Sequence, residues 1–153
     1  MRELLFRGRA KSKMNNGYWW CIGGFHKWET RQPCVVDNLK PEEIKYVITM
    51  DSFADWGMPK EITYTEVDPD TVGQYIGRKD ENGNRIFEGD VIQGKVHTYL
   101  GYRVRIGVVK YFDTGFVMDI DPNNNNNLDY KNIPNDCEII GNIYDNPELI
   151  KDI

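Results

Sequence analysis

Long hydrophobic runs are missing from this chain of 153 residues. No stretch approaches the roughly 20 consecutive apolar residues that a membrane-spanning helix needs. The opening residues, Met1–Arg7, carry charges with no apolar segment behind them, and this excludes a secretory signal of the usual form. We therefore expect a protein of the cytoplasm with no membrane partner.

Cysteine and histidine are also scarce. The three cysteines, Cys21, Cys34 and Cys137, are odd in number and far apart in sequence, so a disulfide framework is not expected. Such cysteine use fits a reducing compartment. The two histidines, His26 and His97, leave few general bases for catalysis.

A net positive charge is absent as well, since the formal net charge is −5. This excludes a basic footprint for nucleic acid over the whole protein. The charge is uneven, however. Residues 1–40 contain eight Lys/Arg and three Asp/Glu, a net of +5, whereas residues 41–71 contain two and eight, a net of −6.

Aromatic residues are plentiful, and they favour pleated, half-buried strands. Leu4–Ala10 reads as a first strand and Tyr18–Ile22 as a returning strand that ends at Gly23-Gly24. In the next stretch Pro41 marks a helix start, whereas Tyr46–Thr49 suits a strand. The sequence leaves these two alternatives open.

The clearest turns come later in the chain. Asp80-Glu81-Asn82-Gly83 predicts a hairpin, and Glu88-Gly89-Asp90 predicts a second sharp turn. Tyr102–Phe112 is the strongest strand pattern. Its alternation predicts one apolar face, which consists of Tyr102, Val104, Ile106, Val108 and Phe112.

Two further segments have distinctive compositions. The five asparagines Asn123–Asn127 have no apolar side chain to bury, so we expect a mobile loop. Asn146-Pro147 predicts the start of a short C-terminal helix, with asparagine as the cap and proline in the first turn. That helix would carry an apolar stripe of Leu149, Ile150 and Ile153.

These patterns predict a mainly-β fold, a small SH3-like barrel with an N-terminal β-hairpin, a variable inserted segment and a short C-terminal helix. Residues 1–70 would form the hairpin and the variable segment. Residues 71–153 would form the barrel core with the helix. We expect the two parts to pack as one compact unit.

Three segments resemble the YopX family of bacteriophage and prophage proteins. They are Arg2–Gly8, Thr71–Ile92 and Ile139–Leu149. The resemblance implies an SH3-like β core, a phage or prophage origin and a tendency to self-assemble. It implies no established activity and no catalytic residues. From the residues themselves we expect no cofactor and no metal.

The motif of the second segment is predicted to be structural, because glycines occur where turns need positive φ or a missing Cβ. The residues assigned to this turn motif are Gly73, Gly77, Asn82, Gly83, Gly89 and Asp90.

Catalytic and metal sites receive little support from the sequence. Cys21, His26 and Cys34 lack the close spacing of structural zinc ligands. No local signature makes Cys34 a nucleophile. The acidic segment that includes Asp55 matches no known cation-binding loop, so we expect it to form a solvated face. Taken together, these patterns predict no enzyme activity.

Nucleic-acid binding is the main alternative to a protein-interaction role. Cations and aromatics are interleaved near the N-terminus, as in small barrels where bases stack on rings and cations follow the backbone. The candidate contacts are Arg7, Arg9, Lys11, Lys13, Trp19, Trp20 and Trp28.

The preferred interpretation is protein interaction. A basic segment and an acidic segment on one chain are complementary to a second copy, which predicts a homo-oligomer. A host or phage protein is a further possible partner.

Overall fold

The structure is a computed structural model that describes residues 3–13, 17–31, 34, 38–51, 61–123 and 130–151. The chain divides into two compact units. The N-terminal unit comprises Leu4–Gly73, and the C-terminal unit comprises Gln74–Ile153 together with Met1–Glu3. Residues 124–127 of the asparagine tract lie outside the described residues, as do Asp55 and Ile153.

Four antiparallel strands form the sheet of the N-terminal unit. They are β1 (Phe6–Arg9), β2 (Trp20–Glu29), β3 (Ile44–Asp51) and β4 (Ile62–Glu66), in the order β4-β3-β2-β1. The 3-10 segment Pro41–Glu43 comes directly before β3. Both alternatives for this stretch therefore occur in succession, because proline starts a single helical turn and the β-branched residues that follow form a strand.

The core of the N-terminal unit lies on one face of this sheet. Its buried residues are Ala10, Cys21, Ile48 and Val67. Ala10 also forms an isolated antiparallel bridge with Val67, so the chain after β1 meets the chain after β4. Burial of one large aliphatic side chain stabilises a fold by about 1.5–3 kcal/mol.

The prediction that Gly23-Gly24 ends the second strand is wrong, since β2 continues to Glu29. A Cβ atom on Gly23 would lie 1.9 Å from the carbonyl oxygen of Thr49 on β3. Glycine is therefore needed here for the close approach of two strands, not for a turn.

The C-terminal unit contains a hairpin and a five-stranded sheet, and all of its strand pairs are antiparallel. The hairpin consists of β5 (Gly73–Lys79) and β6 (Arg85–Phe87). The sheet consists of β7 (Asp90–Thr98), β8 (Gly101–Phe112), β9 (Gly115–Asp119), β10 (Tyr130–Lys131) and β11 (Cys137–Asn142), in the order β10-β9-β8-β7-β11. The predicted Asp80–Gly83 hairpin turn is confirmed.

A second hydrophobic core lies in this unit. It consists of Ile76, Ile86, Ile92, Val96, Val109, Met118, Ile133 and Cys137, with Phe116, Ile120 and Ile139 packed against it. The predicted apolar face of β8 is only partly correct. Val108 is buried, but Tyr102, Val104 and Phe112 are exposed. The β8 residue that belongs to the core is Val109, which lies on the opposite face of the strand.

The mainly-β prediction is confirmed, with two antiparallel sheets. Within the described ranges β10 and β11 do not pair, so no closed barrel is found there. At the C-terminus Pro147–Ile150 forms a 3-10 segment of four residues instead of an α-helix. No helix in the described part of the chain is long and apolar enough to cross a membrane.

Candidate binding surfaces

The Asp80–Gly83 turn is held by the buried carboxylate of Asp80. Its Oδ1 accepts hydrogen bonds from the backbone N–H groups of Asn82 (3.0 Å) and Asn84 (2.7 Å). Its Oδ2 accepts from the Asn84 side chain (3.1 Å) and from the N–H of Ile139 (3.3 Å), which ties the turn to β11.

The electrostatics of Asp80 follow from this arrangement. Burial on its own raises the pKa of Asp80, but the hydrogen bonds from Asn84, Ile139 and Asn82 outweigh it and leave the pKa below its ordinary value. Asp80 belongs to the predicted hairpin turn but was not among the residues assigned to the turn motif. The signal was present, since an Asp two residues before a turn N–H is typical of an Asx turn.

The other turn residues also act structurally. Three motif glycines have positive φ, namely Gly77 (86°), Gly83 (84°) and Gly89 (84°). The buried Asp90 accepts a hydrogen bond of 2.7 Å from the N–H of Phe87 through Oδ2. Gly73 is buried at the start of β5. Gly77, Gly83 and Gly89 thus occupy left-handed backbone positions, and Asp90 holds the turn that precedes β7.

The structure brings several of the N-terminal candidates together on one face of β1 and β2. The guanidinium of Arg7 lies 4.8 Å from the ring centroid of Trp20. Arg9 and Lys13 each lie 4.9 Å from the ring of Tyr18. Arg7 therefore covers Trp20, one of the candidate rings for stacking on bases.

Two of the candidate cations, Arg9 and Lys11, face carboxylates of the acidic segment. Lys11 Nζ lies 2.7 Å from Glu66, and Arg9 lies 3.8 Å from Asp68. The hydrogen bond from Lys11 is the main cause of a lowered pKa at Glu66, and Lys45 contributes. Fewer positive charges are therefore open to a polyanion than the sequence suggests.

The three candidate tryptophans do not form one surface. Trp19 packs against the core of the N-terminal unit, whereas Trp20 lies beneath Arg7. Trp28 is exposed near the end of β2 and meets Tyr64 of β4 edge-on, with 5.4 Å between ring centroids. Ile62 of β4 is 78% exposed. We name Trp28, Tyr64 and Ile62 the Trp28 patch.

A second surface was not predicted from the sequence. The pairing of β7 with β11 ends at Gly94. The pairing of β8 with β9 begins only at Val108. Lys95–Thr98 and Gly101–Arg105 thus form a ribbon in which β7 and β8 pair only with each other among the described residues. We name Lys95–Arg105 the β7–β8 ribbon.

The ribbon is basic. Residues 91–112 contain Lys95, Arg103, Arg105 and Lys110 and no Asp or Glu, a net of +4. This stretch without acidic residues is the sequence signal that could have revealed the surface. Clefts of about 390, 410 and 320 Å³ lie along the ribbon, between it and residues 131–136.

Two of the three cysteines, Cys21 and Cys137, are buried. Burial raises the pKa of both the Cys21 and the Cys137 thiol, which disfavours a nucleophilic thiolate. Cys34 is exposed. Within the described ranges, no group of three or more His, Cys, Asp or Glu side chains is placed to hold a metal ion.

Comparison with known proteins gives one strong relationship. The model of the YopX family, described as YopX protein, matches residues 6–151. No curated protein matches the chain. The crystal structure of protein EF1440 from Enterococcus faecalis is similar at 24% sequence identity, covering 82% of this chain and 96% of that one with a TM-score of 0.39. Because the family match spans nearly the whole sequence, the chain belongs to the YopX family.

Proposed function

We propose that this protein acts by binding other protein chains, first of all a second copy of itself, and not by catalysis. The observation that carries the proposal is the Trp28 patch on the sheet of the N-terminal unit. Trp28, Tyr64 and Ile62 are 43%, 59% and 78% exposed, although each has a large apolar side chain. Clustered apolar exposure of this kind marks an interaction site more often than scattered single residues do.

A second copy is the occupant that fits the rim of the patch. Lys45 lies opposite Trp28 in the strand register, and Asp51 lies opposite Ile62. Lys45 is also 3.7 Å from Glu66. A rim with both signs of charge is complementary to itself across a two-fold axis, whereas a rim of one sign would repel a second copy.

The position of β4 supports the same proposal. β4 is the last strand in the order of this sheet, and Ile62 and Tyr64 are among its most exposed residues. Edge strands present unpaired backbone groups that can pair with another chain. A second copy could therefore contribute both apolar contact and strand pairing at one place.

A binding role also fits the chemistry of the described side chains. The thiols of Cys21 and Cys137 are buried, and the pKa of each is raised. The Asp80 carboxylate is fully engaged by backbone and amide donors in its turn. These groups support the fold and are not poised for proton or group transfer.

The proposal includes a phage or prophage origin, an SH3-like arrangement of the C-terminal unit and a place in the bacterial cytoplasm. The support is the resemblance of the motif segments, the succession of short antiparallel strands with sharp glycine turns, and cysteines suited to a reducing compartment. The N-terminal nucleic-acid alternative is favoured less, because Lys11 and Arg9 face Glu66 and Asp68.

Light scattering of the full chain and two variants tests the proposal. Tyr64→Glu places a charge in the Trp28 patch, and Leu100→Glu places the same charge at another exposed apolar site. We expect a wild-type mass that is a multiple of 17.9 kDa, a lower mass for Tyr64→Glu and the wild-type mass for Leu100→Glu. Equal masses for all three proteins would contradict the proposed role of the patch.

A further inference from the structure

We propose that the β7–β8 ribbon is a binding element for double-stranded DNA that enters a groove of the duplex. The inference concerns the C-terminal unit and does not depend on self-association through the Trp28 patch. It also differs from the N-terminal alternative, because none of Arg7, Arg9, Lys11 or Lys13 takes part.

The geometry of the ribbon is the first argument. Register pairs Lys95 with Val104, His97 with Tyr102 and Thr98 with Gly101, and no third strand accompanies them within the described ranges. The result is a two-stranded ribbon whose tip, Tyr99 and Leu100, is exposed, while Val96 on one of its faces is buried in the core of the C-terminal unit. The major groove of B-form DNA is about 12 Å wide and admits a two-stranded β-ribbon.

The charge of the ribbon is the second argument. Its three cations, Lys95, Arg103 and Arg105, are exposed, and no carboxylate lies within ion-pair distance of them in the described part of the chain. This contrasts with Lys110, which lies 2.6 Å from Asp119. Unpaired cations retain their full attraction for phosphate.

The cations are distributed over both faces of the ribbon. Arg103 lies opposite Val96 and Arg105 lies opposite Gly94, and directly opposed residues share a face. Lys95 is offset by one residue from both Gly94 and Val96, so its side chain points to the other face. When a ribbon lies in a groove of a duplex, phosphates of the two DNA strands lie on both sides of the ribbon. An acidic protein surface would contact only one face of the ribbon. The arrangement therefore favours a duplex over an acidic protein.

The tip of the ribbon is suited to the same task. Tyr99 and Leu100 are both almost fully exposed at the turn between the strands. Tyrosine hydroxyl groups contact phosphate and sugar in protein–DNA complexes, and apolar side chains at such tips can wedge against base steps. Tyr102, which is also exposed, extends this surface along the ribbon and meets His97 edge-on at 5.1 Å.

The simpler interpretation is that Arg103 and Arg105 only protect an unpaired strand edge from aggregation. The two interpretations predict different results for charge reversal. If the cations only protect the edge, the wild-type protein does not bind DNA, and reversal of their charge changes only its self-association. If they contact phosphates, their reversal abolishes DNA binding and leaves the mass of the protein unchanged.

The salt dependence of binding follows from the number of cations that contact phosphates. Three phosphate contacts give a slope of about −2.7 for log K against log salt, so affinity falls about 40-fold between ~50 and ~200 mM salt. A-form RNA has a deep, narrow major groove that such a ribbon cannot enter. Duplex DNA is therefore expected to bind more tightly than duplex RNA of the same sequence.

The test is fluorescence anisotropy of a labelled duplex DNA titrated with the full-length protein. The ribbon variant is Lys95→Glu/Arg103→Glu/Arg105→Glu. The matched control is Lys27→Glu/Lys40→Glu/Lys79→Glu, which reverses three exposed lysines elsewhere and changes the net charge equally. Circular dichroism and light scattering establish that both variants keep the wild-type fold and mass.

We expect wild type and the control to bind duplex DNA with the salt slope given above, and the ribbon variant to lose at least tenfold in affinity. Equal losses in both variants would overturn the proposal, as would absence of wild-type binding at low salt. So would tighter binding of an acidic peptide, of single-stranded DNA or of duplex RNA. Loss of binding in Arg7→Ala/Arg9→Ala with no loss in the ribbon variant would assign the site to the N-terminal segment instead.

Discussion

Lys11 Nζ donates a hydrogen bond of 2.7 Å to Glu66 Oε1 and so joins the basic residues 1–40 to the acidic residues 41–71. The sequence predicted self-association from these opposite charges, but in the structure they are partly paired within the N-terminal unit. The proposal of a homo-oligomer now depends on the apolar Trp28 patch and not on the charge asymmetry.

The Lys11–Glu66 pair is expected to contribute little to stability. Both side chains are partly exposed, and exposed ion pairs typically contribute at most about 1 kcal/mol. A double-mutant cycle with Lys11→Ala and Glu66→Ala, measured by urea denaturation, should give a coupling free energy below that value. The coupling should decrease further at high salt, and a coupling several times larger would show that the pair is effectively buried.

Replacement of Asp80 by Asn is expected to destabilise the protein by about 2 kcal/mol at neutral pH. The amide loses the charge that strengthens four hydrogen bonds, and its NH₂ group would face donors from Asn84 and Ile139. The control Asp136→Asn removes an exposed carboxylate in the same unit. Equal unfolding free energies for both variants would contradict the role assigned to Asp80.

The same carboxylate predicts a dependence on pH. Because the pKa of Asp80 is lower in the folded state, its stabilising contribution is present above its ordinary value of 3.8 and is lost as the pH falls through the folded-state value. Urea denaturation of wild type at neutral and acid pH should therefore show a loss of stability. That loss should be smaller in Asp80→Asn, and an identical loss would assign it to other groups.

Gly89→Val is expected to destabilise the C-terminal unit by about 1–3 kcal/mol. Gly89 has a φ of 84°, and a Cβ atom there would lie 3.2 Å from the Tyr144 ring. Gly115 is the control, because its φ is not positive and a Cβ atom added there would have no neighbour within 4 Å. Thermal melting should show a clear loss for Gly89→Val and almost none for Gly115→Ala.

Gly23→Ala is expected to be as damaging in the N-terminal unit, although Gly23 needs no special backbone angle. The added methyl group would meet the Thr49 carbonyl oxygen at 1.9 Å, and the two strands would have to separate. Overpacking of this kind costs about 1–3 kcal/mol. Native-state hydrogen exchange should show faster exchange of the β2 and β3 amides, and unchanged rates there would contradict the close approach.

Local determinants of the fold were easier to predict from the sequence than long-range ones. The Asp80–Gly83 turn was predictable because all of its signals lie within four consecutive residues. The role of Gly23 was not, because it depends on Thr49, which is brought near only by the pairing of β2 with β3.

The candidate surfaces show the same limit. Arg7 and Trp20, two of the candidate nucleic-acid contacts, lie beside each other in the structure. Nothing in the sequence indicated that Glu66 and Asp68 would meet Lys11 and Arg9. Tyr102 and Val104 on β8 lie on the face of the strand opposite Val109, the β8 residue that belongs to the core. Alternation reports the period of a strand but does not show which of its two faces the core covers.

The most direct test of the central claim, that this protein functions by self-association through the N-terminal unit, is sedimentation velocity of the wild-type chain over a range of concentrations. We predict a species whose mass is two or more times 17.9 kDa and whose population increases with concentration. A single species of 17.9 kDa at every concentration would contradict the claim.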